Sequence, residues 1–175
     1  MMTRRMVQRE IRSIFFDLGN TLIRQVVDSE APLDQLEVAL LPSVGQMLRA
    51  AARYWALGII TNTERTDEVG VRECLRRLGI SHYFKSVTTS VDVGSKKPSD
   101  EMFLRALSKH GEAPARAAMV GNSYDEDIVP AKALGMITVY LGSRATPHTE
   151  APAAADYTAE DAQSLMVLFD AWAAK

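Results

Sequence analysis

A single cysteine, Cys74, rules out an internal disulfide, so the fold needs no oxidising compartment. Long apolar runs are also missing, and nothing approaches the ~20 residues that span a bilayer. The start, Met1-Met2-Thr3-Arg4-Arg5, is basic, but the next apolar stretch is only Ile14 to Phe16 before Asp17, too short for a secretory signal. Neither charge sign dominates: 20 Lys and Arg against 22 Asp and Glu leave a formal charge of −2, which draws the chain toward neither nucleic acid nor an anionic membrane. The N-terminal Arg4, Arg5, Arg9 and Arg12 are interrupted by Glu10 and read as a solvated end. The histidines, His82, His110 and His148, do not show metal-ligand spacing. No internal repeat, heptad array or low-complexity tract interrupts the pattern. These absences leave an ordinary globular chain of 175 residues, 47% hydrophobic and 24% charged, expected to be cytoplasmic and a single domain over 1–175.

Short apolar runs alternate with helical patterns. Ile11 to Phe16 reads as a buried strand that breaks into the loop Asp17-Leu18-Gly19-Asn20-Thr21. Val44, Met47, Leu48, Ala51 and Trp55 share one helical face, placing a helix from Val44 to about Tyr54. Leu57 to Ile60 reads as a second strand ending at Thr61-Asn62-Thr63. Thr63 can cap a helix with Val71, Leu75 and Leu78 inside and Gly79 as its stop. A third strand is expected over Phe84 to Thr88 and a helix from Pro98, with acids in its first turn and Lys109 and His110 in its last, as the helix dipole favours. Ala117 to Val120 reads as a fourth strand, Asp125 to Leu134 as a helix and Ile137 to Leu141 as a fifth strand. The Ala/Pro-rich stretch from Thr146 to Ala155 reads as a surface connection. A last helix buries Leu165, Leu168, Phe169 and Trp172. Cys74, Trp55 and Trp172 read as core. The fold class is therefore α/β: a Rossmann-like three-layer sandwich with a mainly parallel sheet of five or six strands.

In such sheets ligands bind beyond the carboxyl ends of the strands, and the polar residues gather there. Asp17 could serve as a nucleophile that forms an acyl phosphate. Thr61 could hydrogen-bond a transferring oxyanion, and Lys97 could offset its charge. Asp17, Asn122 and Asp127 offer oxygen ligands of the kind Mg²⁺ takes. Each has a plainer reading: Asp17 as a turn former, Lys96-Lys97 as a solvated pair, Asp125, Glu126 and Asp127 as helix-start acids.

The order of these residues favours the functional readings. Phe15-Phe16-Asp17-Leu18-Gly19-Asn20-Thr21-Leu22 resembles the first motif of the haloacid dehalogenase superfamily, in which the leading Asp is the nucleophile. Ile59-Ile60-Thr61-Asn62 is similar to its second motif. Lys97-Pro98, with Phe103 downstream, is similar to its third. Met119 to Ile128, continuing through Ala131 to Met136, is similar to its fourth. The likeness covers about residues 11–141. It implies an Mg²⁺-dependent phosphatase acting on a phosphate monoester, small or macromolecular. Asp17, Thr61 and Lys97 would be catalytic; Asn62, Gly19 and Asn20 would bind substrate; Asp17, Gly19, Asn122 and Asp127 would hold the metal.

Two positions depart from the family pattern. Gly19 stands where a second Asp usually acts as general acid/base, help typically worth about 10²–10⁴ in rate, so turnover is expected to be weak or selective. Asn122 stands where metal-dependent members have Asp, which removes a negative charge; Asp125 is kept out of the ligand set. Asn62, Asn122 and the missing second Asp lean toward the family's metal-independent 2-haloacid dehalogenases, although the aromatic residue and large cap of those enzymes are lacking. A non-catalytic domain that binds a phosphorylated ligand or partner is a further alternative.

Spacing leaves little room above the site. Between Asp17 and Thr61 the chain must place the helix from Val44, so only residues 24–42 remain for a cap remnant or lid. Between Thr61 and Lys97 one helix and one strand fill the interval. No separate cap domain is expected, and the site should be open unless a second copy covers it. Val26, Val27, Leu33, Leu36, Val38, Leu40 and Leu41 could form a lid, a subunit contact or packing over the sheet edge.

Overall fold

Side-chain alternation along the strands decides which helices cover which face. The computed structural model describes residues 10–24, 31–142 and 155–174. Its elements in chain order are β1 (Ser13–Phe16), α1 (Val44–Ala51), β2 (Ala56–Thr61), α2 (Glu68–Arg77), β3 (Phe84–Thr89), α3 (Ser90–Val93), α4 (Asp100–His110), β4 (Ala117–Gly121), α5 (Val129–Ala133), β5 (Ile137–Leu141), β6 (Tyr157–Ala159) and α6 (Ala162–Ala173). Ile14, Phe16, Ile59, Ala118 and Val120 face one buried cluster with Met47 and Leu48 of α1, Val71 and Leu75 of α2, and Leu165 and Phe169 of α6. Phe15, Ile60 and Met119 face the other, with Met102 and Phe103 of α4 and Ala131 of α5. The result is three layers, helices on both faces of a sheet whose inner strands are apolar on both sides.

The strand order is β3-β2-β1-β4-β5-β6 and every pairing is parallel. Phe16 is level with Ile59 of β2 and Val120 of β4. Asp17 therefore leaves the sheet between the ends of two neighbouring strands, where the chain winds both ways and a crevice opens. Gly58 allows this close packing: a Cβ there would stand 2.6 Å from the Phe15 ring. No helix among the described residues is long and apolar enough to cross a membrane.

Several elements differ from expectation. The cap of α2 is Asp67, whose side chain accepts from the Gly70 amide at 2.9 Å; Thr63 instead donates to the Thr66 carbonyl at 2.6 Å. The helix expected over Asp125–Leu134 is a wide π turn over Tyr124–Ile128 followed by α5. The sixth strand, β6, lacks an apolar alternation and escapes pattern reading. It is tied down by Asp156, which accepts from the Thr138 amide and hydroxyl at 2.9 and 3.1 Å and pairs with Lys132. His110 does not serve the α4 dipole as a cation. It is buried, with Nδ1 and Nε2 each 2.9 Å from a serine hydroxyl, Ser13 and Ser86, and burial, aided by the nearby Lys85, lowers its pKa to about 4.

Residues 31–42 lie beside the crevice. They contribute one 3-10 turn, Leu33–Gln35, and Leu33, Val38, Leu40 and Leu41 pack against the core. The segment is pinned to the α2 side: the Leu33 amide donates to Thr66 Oγ1 at 2.9 Å, and Arg77 donates to the Leu33 and Leu36 carbonyls at 3.3 and 3.2 Å. Arg4, Arg5, Arg9, Val26, Val27, His148 and all of the expected connection except Ala155 lie outside the described residues. At the β3 edge, Arg72 donates to the Phe84 and Lys85 carbonyls at 3.4 Å each, and Lys109 donates to the Val87 carbonyl.

Candidate active site

Beyond Phe16 the Asp17 amide makes a last bond to the Val120 carbonyl, at 2.9 Å, and the chain folds into a tight turn. The Leu22 and Ile23 amides both donate to the Leu18 carbonyl, at 2.9 and 3.1 Å. Asn20, at φ 57, donates its amide to the Ile23 carbonyl at 2.7 Å. An Asn tolerates this left-handed conformation better than most residues. The turn swings Thr21 back beneath Asp17, and its hydroxyl donates to Asp17 Oδ2 at 3.2 Å.

Lys97, in the loop between α3 and α4, reaches the same carboxylate. Its Nζ lies 2.8 Å from Asp17 Oδ1 and 2.6 Å from Asp127 Oδ1. The side chains of Lys97, Asp127 and Asp17 are 2%, 1% and 13% exposed, so the ammonium and Asp127 are sealed while Asp17 alone opens to the crevice. Burial works against the Lys97 charge, yet Asp17 and Asp127 outweigh it and its pKa is raised. For Asp127, burial first and the negative Asp17 second push the pKa up to about 6, against the pull of Lys97 and the Ser123 amide. The two shifts agree in sense: Lys97 is charged, and the buried Asp127 ionises less readily than a free carboxylate.

Neighbouring residues hold these groups in place. Asn62 clamps the Lys97 backbone in both directions, accepting from its amide at 2.8 Å and donating to its carbonyl at 3.1 Å. Its amide is thus spent on Lys97, while other atoms of the residue still line the crevice. Asp127 Oδ2 accepts from the Ser123 amide at 3.0 Å and packs on Gly121, where a Cβ would stand 2.3 Å from that oxygen. With its amide turned so that both ends are satisfied, Asn122 donates from Nδ2 toward Asp17 Oδ2 and the Gly19 carbonyl at 3.2 Å each and toward Thr21 Oγ1 at 3.3 Å. Sequence reasoning assigned no role to Thr21 or Ser123. Thr21 stands within the first motif, and Ser123 acts through its backbone, which a sequence does not advertise.

Asp17, Asn62, Asn122 and Ser123 border a cavity of about 710 Å³. Its lining combines Gly19 and Thr61 with apolar Ile23, Leu33 and Leu36 and with the cationic Arg65 and Lys96. Lys96, outside the buried cluster, pairs with Glu64 at the surface. Asn20 borders a second cavity of about 610 Å³, which Asn122 also lines. Asp125 is exposed, and Cys74 is buried. A carboxylate with one oxygen on an ammonium and the other on hydroxyl and amide donors is held in a fixed orientation, as a nucleophile requires. Asp17, Asp127, the Gly19 carbonyl and Asn122 could also offer oxygens to a hard divalent cation. Among the described residues no group of three or more His, Cys, Asp or Glu does so, and a carbonyl and an amide must complete the set.

A family model described as haloacid dehalogenase-like hydrolase matches residues 4–141, and the chain belongs to this family of hydrolases. It is similar to the glyceraldehyde 3-phosphate phosphatase of Methanothermobacter thermautotrophicus, at 33% identity over 140 residues covering 73% of this chain and 61% of that protein. The glyceraldehyde 3-phosphate phosphatase of Methanocaldococcus jannaschii is 34% identical over 133 residues, covering 75% and 58%. The chain thus spans less than two thirds of the length of these relatives. Among solved structures, an uncharacterized protein from Listeria monocytogenes serotype 4b shares the fold with a TM-score of 0.77 at 22% identity, covering 94% of this chain and 100% of that one.

Proposed function

We propose that the protein is a phosphatase that hydrolyses a phosphate monoester through an aspartyl-phosphate at Asp17. The observation that carries this reading is the Lys97 ammonium shared between Asp17 and Asp127 at the carboxyl end of the central strands. A phosphoryl group entering the crevice brings negative charge toward an anionic nucleophile, and a buried ammonium beside Asp17 offsets that repulsion. The phosphatase names of the similar proteins support the same class of substrate.

In this reading Asp17 attacks phosphorus, the bond from phosphorus to the ester oxygen breaks, and the departing alkoxide takes its proton from water. Water then attacks the acyl phosphate, releasing inorganic phosphate and regenerating Asp17. Thr61 holds an oxygen of the transferring group, Lys97 offsets its charge from behind Asp17, and Asn62 and Gly19 border its approach. Asp17, the Gly19 carbonyl, Asn122 and Asp127 would hold Mg²⁺, which supplies further charge neutralisation. The acceptors converging on the Asn122 amide are an all-oxygen set, the chemistry such an ion takes. Gly19 brings no side chain, so no residue protonates the leaving group there, and esters of acidic alcohols should turn over best.

Hydrolysis of an aryl phosphate by pure protein, with Mg²⁺ and with EDTA, tests this. Turnover should require Mg²⁺ and fall at least about 10³-fold in Asp17→Asn with the fold intact. Activity that survives the substitution refutes Asp17 as nucleophile. Silence of folded wild-type protein under both conditions refutes the phosphatase reading in favour of a binding domain.

A further inference from the structure

Three acceptors converge on one point beside Asp17: its own Oδ2, the Gly19 carbonyl and Thr21 Oγ1 lie 3.2, 3.2 and 3.3 Å from the near end of the Asn122 amide, which is Nδ2 once the amide is turned to satisfy them. Thr21 has a single hydroxyl proton, and with it on Asp17 Oδ2 at 3.2 Å none is left for the Asn122 amide 3.3 Å away. Nothing else in this group can donate, so the point calls for a hydrogen-bond donor or a cation. The other oxygen of Asp17 is taken by Lys97. The chain's own groups thus engage both oxygens of Asp17 and the Gly19 carbonyl.

We propose that the Asn122 amide is an internal substitute for the divalent cation, holding its nitrogen toward Asp17 and Gly19 until the ion displaces it by turning the amide end over end. The inference rests on the phosphatase reading in one respect, that this is where the cation belongs. The two ends of a primary amide are nearly equal in size and opposite in hydrogen-bonding character. Half a rotation exchanges a donor suited to three acceptors for an oxygen suited to a metal, without moving the backbone. The ion must compete with the donor state, so its apparent affinity falls by the fraction of molecules whose amide is already turned.

An aspartate at this position could not fill the point in the same way. Its carboxylate would face acceptors without a proton to offer, and the cluster would carry one more negative charge with only Lys97 to offset it. Such a site binds cations tightly and is strained without them. Asn122 reverses both properties: the resting site is satisfied, and cation binding becomes weak and conditional. Asn at this position therefore gives a site that responds to the cation concentration instead of holding the ion permanently.

Two measurements test this without recourse to turnover. In the wild-type chain stripped of metal, the side-chain NH₂ resonances of Asn122 should exchange slowly with solvent, and should shift and lose that protection as Mg²⁺ is added. Mn²⁺ binding, read from the free-ion electron paramagnetic resonance signal, should be at least about tenfold tighter in Asn122→Asp than in wild type. An Asn122 amide that exchanges as fast as an exposed one before metal is added overturns the proposal. So does equal Mn²⁺ affinity in the two proteins. The resonance measurement uses only wild type and stands even if the variant fails to fold. A chain that behaves as expected here yet hydrolyses no ester would overturn the phosphatase reading alone.

Discussion

Replacing Lys97 by Met removes the one cation between two carboxylates while keeping most of the side-chain volume. The ammonium is 2% exposed and sits 2.8 and 2.6 Å from Asp17 and Asp127. Breaking a buried ion pair on one side typically costs about 3–5 kcal/mol, because the partner charge remains buried without compensation. Here the cost should depend on pH in a specific way. Asp127 already titrates at about 6, held down by Lys97 and the Ser123 amide against burial and Asp17. Without the ammonium its folded pKa rises past neutrality, well above the unfolded value of about 3.9. An acid whose folded pKa is raised binds more protons folded than unfolded, so stability falls as pH rises toward that folded pKa. The variant should therefore be destabilised by about 3–5 kcal/mol at pH 8. The gap to wild type should narrow by up to about 1.4 kcal/mol per unit as pH falls from the variant's raised value toward the wild-type value of about 6. Urea denaturation of both proteins at pH 8, 7 and 6 measures this. Parallel stability profiles, or a loss below about 1 kcal/mol at pH 8, would show that the three groups are not electrostatically linked as the distances imply.

Two further outcomes follow from close contacts. Gly121→Ala places a Cβ 2.3 Å from Asp127 Oδ2, an oxygen fixed by the Ser123 amide, so Asp127 must leave its position and loosen Lys97. Stability should fall by about 1–3 kcal/mol and aryl phosphatase turnover by about 10²-fold; an unchanged urea midpoint and rate would refute the packing argument. His110 is neutral at pH 7, with a folded pKa of about 4 against 6.5 for a free ring. Between those values the unfolded chain takes up a proton that the folded chain refuses, so stability is lost as pH falls from 6.5 to 4, by up to about 3 kcal/mol. His110→Gln should lack that component in the same denaturation series, and an identical slope in both proteins would contradict it.

What could be read in advance divides along physical lines. Strands β1, β2 and β4 are runs of apolar residues buried on both faces, and Asp17, Thr61 and Asn122 were legible because each ends such a run. Lys97 was legible through its place before a helix, yet its neighbour Lys96 is chemically identical and exposed. Nothing in the sequence says which of the two is buried, since burial depends on Asn62 gripping the Lys97 backbone from another strand end. Strand β6 is three residues long, two of them exposed, and exists because Asp156 finds Thr138. His110 looked like a helix-end cation because its partners, Ser13 and Ser86, come from distant strands. Local pattern reveals what local forces build. The remainder waits on contacts between residues far apart in the chain.

The basic side chains along β3 bear on how the molecule meets its own kind. An outer strand with free carbonyls invites a strand from another chain to pair with it. At β3 the Phe84, Lys85 and Val87 carbonyls already accept from Arg72 and Lys109, and Glu68 holds both cations in place at 2.8 Å each. A stranger seeking to extend the sheet there would have to strip away two charged donors and meet their positive field. Crowded, half-folded chains, the state in which proteins most often clump, therefore find this flank closed to stacking from the moment α2 and α4 dock.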